Sequence, residues 1–227
     1  MKLIIFGPPG SGKGVYSSRI AEKLGLLKIS TGDIFREEIK KQSELGRIVE
    51  NFVKKGEFVP DEIVNEVVKQ KLKQTENFIL DGYPRTIKQA EFLLKLTRID
   101  AVIQILAAKE ILIEKISARR ICSNPKCDGN YNLASINKTI NNVHYVLPPL
   151  LPKREGVCDK CGSKLYRRDD DRPEIVEKRI EVYENESKPV VELLEREIPF
   201  VKVWMDSPVP QMVEKILKGL ERLRILK

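Results

Sequence analysis

The stretch Gly7-Pro8-Pro9-Gly10-Ser11-Gly12-Lys13-Gly14 constrains the fold more than any other. It lies between an apolar run, Leu3-Ile4-Ile5-Phe6, and a segment from Val15 to Leu24 with apolar residues at helical spacing (Tyr16, Ile20, Leu24), closed by Gly25. A continuous apolar run reads as a buried strand, and a glycine just past a helical pattern as its stop. In that context Gly7-x4-Gly12-Lys13 reads as a phosphate-binding loop. Glycines let successive backbone N–H groups turn onto a phosphate, the helix N-terminus adds a favourable dipole, and Lys13 adds a mobile charge. The Ser or Thr common after that lysine is replaced by Gly14. Without this chemistry the same residues are a Gly/Pro turn between strand and helix.

Further along, Leu26–Ile29 is a strand candidate, Ser30-Thr31-Gly32-Asp33 a turn, and Ile34–Ile39 a helix. Residues 40–59 are expected to form small helices, and a clear amphipathic helix runs from Glu62. Phe78-Ile79-Leu80-Asp81 is a buried strand ending in a carboxylate, followed by the turn Gly82-Tyr83-Pro84-Arg85. Helices are expected over 86–96 and 109–120, with a strand at 101–106 between them. Residues 121–166, rich in Asn, Pro, Gly, Cys and Lys, break this alternation and read as an inserted small domain. A long helix starts at Pro173 and is broken or restarted at Pro189. A last strand, 200–204, and a last helix, 209–224, close the chain. Alternating strands and helices imply an α/β fold with a doubly wound, five-stranded parallel sheet. Ligands then sit at the carboxyl ends of the strands, where the phosphate loop, Asp81 and Arg85 all fall.

The formal net charge of +8 suggests an anionic partner, but nucleotide, nucleic acid and acidic membrane all qualify. The chain begins on a strand candidate rather than a secretory signal, and no apolar run reaches membrane-span length, so a cytoplasmic protein is expected. All four cysteines lie in the insert, as Cys122-x4-Cys127 and Cys158-x2-Cys161. Four thiolates in a loop-rich segment match a closed tetrahedral zinc site that would supply the insert's folding energy. Two disulfides or free thiols are the alternatives, and His144 is a possible substitute ligand.

Asp81 stands where nucleotide-binding proteins keep a Mg²⁺-associated carboxylate, or is a turn-forming Asp before Gly82. Arg36, Arg85, Arg119, Arg168 and Arg179 are candidate phosphate clamps. Asp169 and Asp171 read equally as a negative first turn complementing a helix dipole. The single histidine lies outside the phosphate motifs. That suits phosphoryl transfer onto an acceptor already anionic, which needs alignment and positive charge but no general base.

Together the motifs resemble the adenylate kinase family, in its long form with a zinc-knuckle lid. They are Gly-Pro-Pro-Gly-Ser-Gly-Lys-Gly at 7–14, Ser-Thr-Gly-Asp at 30–33 with Arg36, and Gly-Glu-Phe-Val-Pro-Asp at 56–61. Asp-Gly-Tyr-Pro-Arg at 81–85 with Gln89, Arg119 with the cysteines that follow, and Arg-Asp-Asp-Asp at 168–171 with Arg179 complete the set. The resemblance implies reversible transfer, ATP plus AMP giving two ADP with Mg²⁺, in purine nucleotide homeostasis. It implies ATP on Gly10, Ser11, Gly12, Lys13, Gly14, Val15 and Arg119. It implies AMP on Thr31, Arg36, Glu57, Val59, Gly82, Arg85, Gln89, Arg168 and Arg179. Lys13, Arg85, Arg119, Arg168 and Arg179 would be catalytic, Asp170 and Asp171 partners of the arginines, and Asp81 would position Mg²⁺ through water. Cys122, Cys127, Cys158 and Cys161 would hold structural Zn²⁺. The implied organisation is a core of 1–29, 60–120 and 167–227, an AMP-binding domain of 30–59 and a lid of 121–166, in a monomer with no nucleic-acid or membrane partner. Three features depart from the family: Val15 replaces a usual Thr, Lys115 a usual adenine-stacking Arg, and the first cysteine pair is wider than x2. Two rivals share parts of this pattern. One is a kinase for UMP, CMP or GMP; the other is a zinc-ribbon nucleic-acid binder using the loop as a nucleotide switch, against which stands the lack of clustered stacking aromatics.

Overall fold

The computed structural model describes residues 1–127 and 129–226. The chain runs β1 (Lys2–Phe6), α1 (Lys13–Leu24), β2 (Leu27–Ser30), α2 (Thr31–Lys40), α3 (Glu44–Lys55), α4 (Asp61–Leu72), β3 (Phe78–Asp81) and α5 (Ile87–Leu96). It continues β4 (Ala101–Leu106), α6 (Lys109–Ser117), β5 (Arg119–Cys122), β6 (Asn130–Asn132), β7 (Ile136–Ile140), β8 (Val143–Leu147) and β9 (Leu165–Tyr166). It closes with α7 (Pro173–Val182), α8 (Lys188–Glu195), β10 (Phe200–Trp204) and α9 (Val209–Arg222).

The central sheet has the expected five strands, in the order β10-β4-β1-β3-β2, and all its pairings are parallel. Alternation along each strand sorts the core into two layers. Leu3, Ile5, Ile79, Ile103 and Ile105 face α1, α6, α7 and α9, whereas Ile4, Phe6, Phe78, Leu80 and Val102 face α4, α5 and α8. Full burial of each such side chain contributes about 1.5–3 kcal/mol. The helix after β1 therefore packs on one face and the helix after β3 on the other. That reversal opens a crevice at the carboxyl ends of these paired strands. The phosphate loop leaves β1 there, and Asp81 through Arg85 leave β3.

Several local expectations change in the structure. Ser30 to Asp33 is a helix start rather than a free turn, with Ser30 Oγ accepting from Asp33 N at 3.3 Å as the N-cap of α2. The helix expected over 109–120 stops at Ser117, so Arg119 and Arg120 lie on β5, which pairs with β6 and β9. The break expected at Pro189 is a π-helical turn, Tyr183–Ser187, between α7 and α8.

The insert also contains a hairpin that sequence reading missed. β7 and β8 pair through Asn141-Asn142, whose φ angles of 49° and 62° suit a tight two-residue turn. Ile136, Tyr145 and Leu147 from this hairpin are buried in the same cluster as Leu112, Ile116 and Met205. Val146 N donates to Asp206 O at 2.8 Å, and Ala108 N to Tyr145 Oη at 3.0 Å, tying the hairpin to the core.

Candidate active site

At the mouth of β1 the loop is shaped by close approach. Gly10 has φ +82°, and a Cβ there would lie 2.5 Å from Ile116 Cγ1 of α6. Gly12 has the same φ, and its Cβ would lie 2.9 Å from the Tyr16 ring. Neither position accepts a side chain without displacing the core behind it. Lys13 Nζ folds back onto Pro8 O at 2.8 Å. Burial pushes the Lys13 ammonium down to about 7; Asp81 opposes this, and Arg85, Arg179 and Arg119 reinforce it. Ser11 Oγ and Arg168 Nε are buried without a hydrogen-bond partner among the described residues. Unsatisfied buried donors of this kind are expected where a polar ligand belongs.

Across the crevice, the turn after β3 is held from several sides. Arg85 Nε donates to Gly82 O at 2.8 Å and Thr31 Oγ1 to the same oxygen at 2.9 Å. Arg85 N donates to Gln89 Oε1 at 2.8 Å, and Gln89 Nε2 to Asp61 Oδ1 at 2.7 Å. The Arg85 guanidinium lies 5.2 Å over the Phe58 ring. Burial lowers Arg85 to about 10, with Arg179 adding to the effect. Arg36 donates to Asp33 Oδ1 at 2.6 Å. Burial would raise Asp33, but Arg36 and Lys28 outweigh it and hold the carboxyl well below the usual range. Lys13, Thr31, Arg36, Glu57, Val59, Gly82, Arg85, Gln89 and Arg179 all line one cleft.

The remaining arginines reach this region from the strand after α6 and the segment before α7. Arg119 Nε donates to Asp171 Oδ2 at 2.9 Å, and its Nη2 makes a second bond to Oδ1. Arg179 Nη1 lies 3.1 Å from Asp170 Oδ2 and 3.4 Å from Asp171 Oδ1. Burial lowers Arg168 to about 9, helped by Arg36 and Arg119. The dipole reading of this acidic run fits Asp169, which is exposed beside Arg172, but not Asp171, which is fully buried against Arg119.

Val15 lies half-buried in the first turn of α1, its N–H donating to Gly12 O at 2.9 Å. At Lys115 burial alone lowers the ammonium to about 8. Asp81 is buried and accepts from Ser17 Oγ at 3.1 Å. Its carboxylate, at the strand end beside the phosphate loop, is the hard oxygen donor that Mg²⁺ prefers, so the residues present fit that ion.

The four cysteines are free thiols, and their sulfurs lie within 4.8 Å of one another. Cys122 and Cys161 Sγ are 3.3 Å apart and Cys127 and Cys158 Sγ 3.6 Å, which is contact rather than disulfide bonding. A tetrahedral Zn²⁺ with bonds of about 2.3 Å places sulfurs about 3.8 Å apart, so the cluster is compatible with a structural zinc. A Cβ at Gly129 would lie 2.5 Å from Cys158 Sγ, so the neighbouring backbone wraps the sulfurs closely. His144 is instead on the hairpin, its Nδ1 3.0 Å from Thr139 Oγ1.

Sequence reading missed four residues that shape the site: Ser17 and Lys28 beside Asp81, Asp61 behind Gln89, and Ser187, whose Oγ donates to Arg85 O at 3.1 Å. Each reaches the site through tertiary contact across distant segments. Among them, Asp61 alone carried a signal, as the last residue of Gly-Glu-Phe-Val-Pro-Asp.

A parallel sheet with a phosphate loop at its switch point, opposed by a crowd of buried cations, defines a P-loop phosphotransferase of the nucleoside monophosphate kinase class. The family model described as Adenylate kinase matches residues 5–198. The chain is 40% identical over 230 residues to the adenylate kinase of Thermosipho melanesiensis, covering 98% of this chain and 100% of the relative. It is 41% identical over 197 residues to that of Petrotoga mobilis, covering 85% and 84%. It is 36% identical over 230 residues to that of Streptomyces coelicolor, covering 98% and 99%. The chain belongs to the adenylate kinase family, and its activity is adenylate kinase phosphoryl transfer.

Proposed function

We propose the following division of labour for ATP + AMP = 2 ADP. The amides of Gly10, Ser11, Gly12, Gly14 and Val15 and the Lys13 ammonium receive the ATP phosphates. Thr31, Arg36, Gly82, Arg85 and Gln89 receive AMP, with the backbone of Glu57 and Val59 near its base. Arg119, Arg168 and Arg179, steadied by Asp170 and Asp171, gather on the transferring phosphoryl. The bond from the γ-phosphorus to the β–γ bridging oxygen breaks as an AMP phosphate oxygen bonds to the same phosphorus. The acceptor is already an anion, so no proton needs to be removed. Asp81 would position Mg²⁺, which would supply charge neutralisation on the ATP phosphates. Cys122, Cys127, Cys158 and Cys161 hold Zn²⁺ in a structural role, and thiolates kept for metal suit the cytoplasm.

In this reading 30–59 is the AMP-binding domain, 121–166 the lid and the remainder the core, and the protein works as a monomer. Closure over the substrates keeps water from taking the phosphoryl group. Among the described residues no helix is long and apolar enough to cross a membrane.

The observation that carries the proposal is mutual crowding of cations on one cleft. Lys13 and Arg85 are lowered to about 7 and about 10 by burial and by neighbouring positive charge. Like charges held together out of water await an anion of high charge. A coupled assay of ATP against AMP, UMP, CMP and GMP, with and without Mg²⁺, tests it. Rapid Mg²⁺-dependent ADP formation with AMP is expected. Lys13→Met and Arg85→Gly should each lose about 10²–10³ in kcat while keeping the native circular dichroism. A near-normal rate in either variant sinks the assignment of that residue.

A further inference from the structure

We propose that Lys28 is a positioning residue whose ammonium occupies the space between Asp81, Asp33 and the phosphate loop and sets how tightly the site takes its divalent cation. The inference rests on the reading of Asp81 given above. Lys28 lies on β2, the edge strand, where Ser30 pairs with Asp81 of β3. Side chains two apart on a strand share a face, so Lys28 is directed along the sheet to the side of Ser30 and Asp81.

Its Nζ contacts four groups from three elements. It lies 3.1 Å from Gly14 O and 3.1 Å from Ser18 Oγ, both in α1. It lies 3.4 Å from Asp33 Oδ2 in α2 and 3.9 Å from Asp81 Oδ2 at the end of β3. The Lys28 side chain is 22% exposed and that of Asp81 10%, so the pair is largely withdrawn from solvent.

The residue at position 14 completes the argument. Phosphate loops usually carry a Ser or Thr there, whose hydroxyl ligates Mg²⁺. Here Gly14 has no side chain, and a Cβ would lie 3.5 Å from Asp81 Oδ2 and 3.9 Å from Lys28 Nζ. The region where a P-loop protein places a metal-ligating hydroxyl is flanked instead by a carboxylate and an ammonium. A divalent cation arriving with nucleotide must share Asp81 and Asp33 with that resident charge. Lys28 thus holds both carboxylates in place between turnovers and weakens their hold on the incoming ion. Removing its charge leaves Asp81 free to attract the cation, while Asp33 keeps its bond from Arg36 at 2.6 Å; restoring a charge with arginine reverses the change.

The test reads Mn²⁺ bound to the complex of the full chain with a non-hydrolysable ATP analogue, by electron paramagnetic resonance, relative to the analogue alone. Lys28→Met and Lys28→Gln should each tighten Mn²⁺ binding by about tenfold or more, as expected for loss of a positive charge beside the Asp81 carboxylate in a partly buried site. Lys28→Arg should stay within about twofold of the parent. Unchanged or weaker Mn²⁺ binding in both neutral variants overturns the proposal. Asp81→Asn separates the two readings. Should it leave Mn²⁺ affinity untouched, the Asp81 reading itself fails. Should it weaken Mn²⁺ while the Lys28 variants do nothing, only the role of Lys28 fails.

Discussion

Lys13 shows how one side chain can carry a pH dependence. Burial lowers its ammonium from the ordinary lysine value to about 7, against the pull of Asp81. The native state therefore binds fewer protons than the unfolded chain between about pH 7 and the ordinary lysine range, so this group makes stability rise with pH across that window. For ligand binding the sign is opposite. Nucleotide phosphates favour the charged form, so ATP binding takes up a proton above about pH 7. From the protonated fraction alone, ATP affinity should fall about fivefold between pH 7 and pH 8. Isothermal titration in buffers of different ionisation enthalpy should reveal the proton uptake at pH 8. A pH-independent affinity without proton uptake would show that Lys13 stays charged in the free enzyme. Sequence spacing placed Lys13 in the loop, but its titration comes from burial under the folded chain, opposed by Asp81 and reinforced by Arg85, Arg179 and Arg119 from distant segments.

At the scale of elements, the three-stranded sheet of the insert is very small. β5, β6 and β9 hold four, three and two residues, and their buried cluster is Cys122, Tyr131 and Cys158. So little apolar area cannot offset the entropy of ordering the surrounding loops, which is the cost the proposed metal coordination would offset. Cys158→Ser should reduce bound zinc to less than about half of the parent and lower Tm by more than about 5 °C, with a smaller effect on rate. Elemental analysis and calorimetry read both quantities. Parent-like zinc content would rule out Cys158 as a ligand. The cysteine spacing announced this cluster, but it could not show that Cys122 Sγ lies against Cys161 Sγ and Cys127 Sγ against Cys158 Sγ.

For the whole molecule, the β7–β8 hairpin matters most. Residues expected to belong wholly to a lid place Tyr145 in the main core, fully buried, with its hydroxyl accepting from Ala108 N. The hairpin thus joins the insert to the segments after β4 and β10. Tyr145→Ala should cost about 3–5 kcal/mol of global stability, as for a large aromatic removed from a packed core. Denaturant unfolding measures this, and a loss below about 1 kcal/mol would mean that the hairpin is not part of the cooperative core.

By itself the sequence determined the order of elements, the phosphate loop and the parallel sheet. Apolar runs, glycine positions and turn residues are local, and their physics acts within a few neighbours. It also named Lys13 and Arg85, because their motifs sit at strand ends, and Arg36, Arg119, Arg168 and Arg179 as candidate clamps by residue type and by family resemblance. How those cations press on one another, that Asp171 belongs to Arg119, that Lys28 stands between Asp33 and Asp81, and that Tyr145 packs against the core are settled by packing alone. Each of these depends on which distant segments pack together. Strand register and helix packing set such distances, and periodicity along one segment carries no record of its partner.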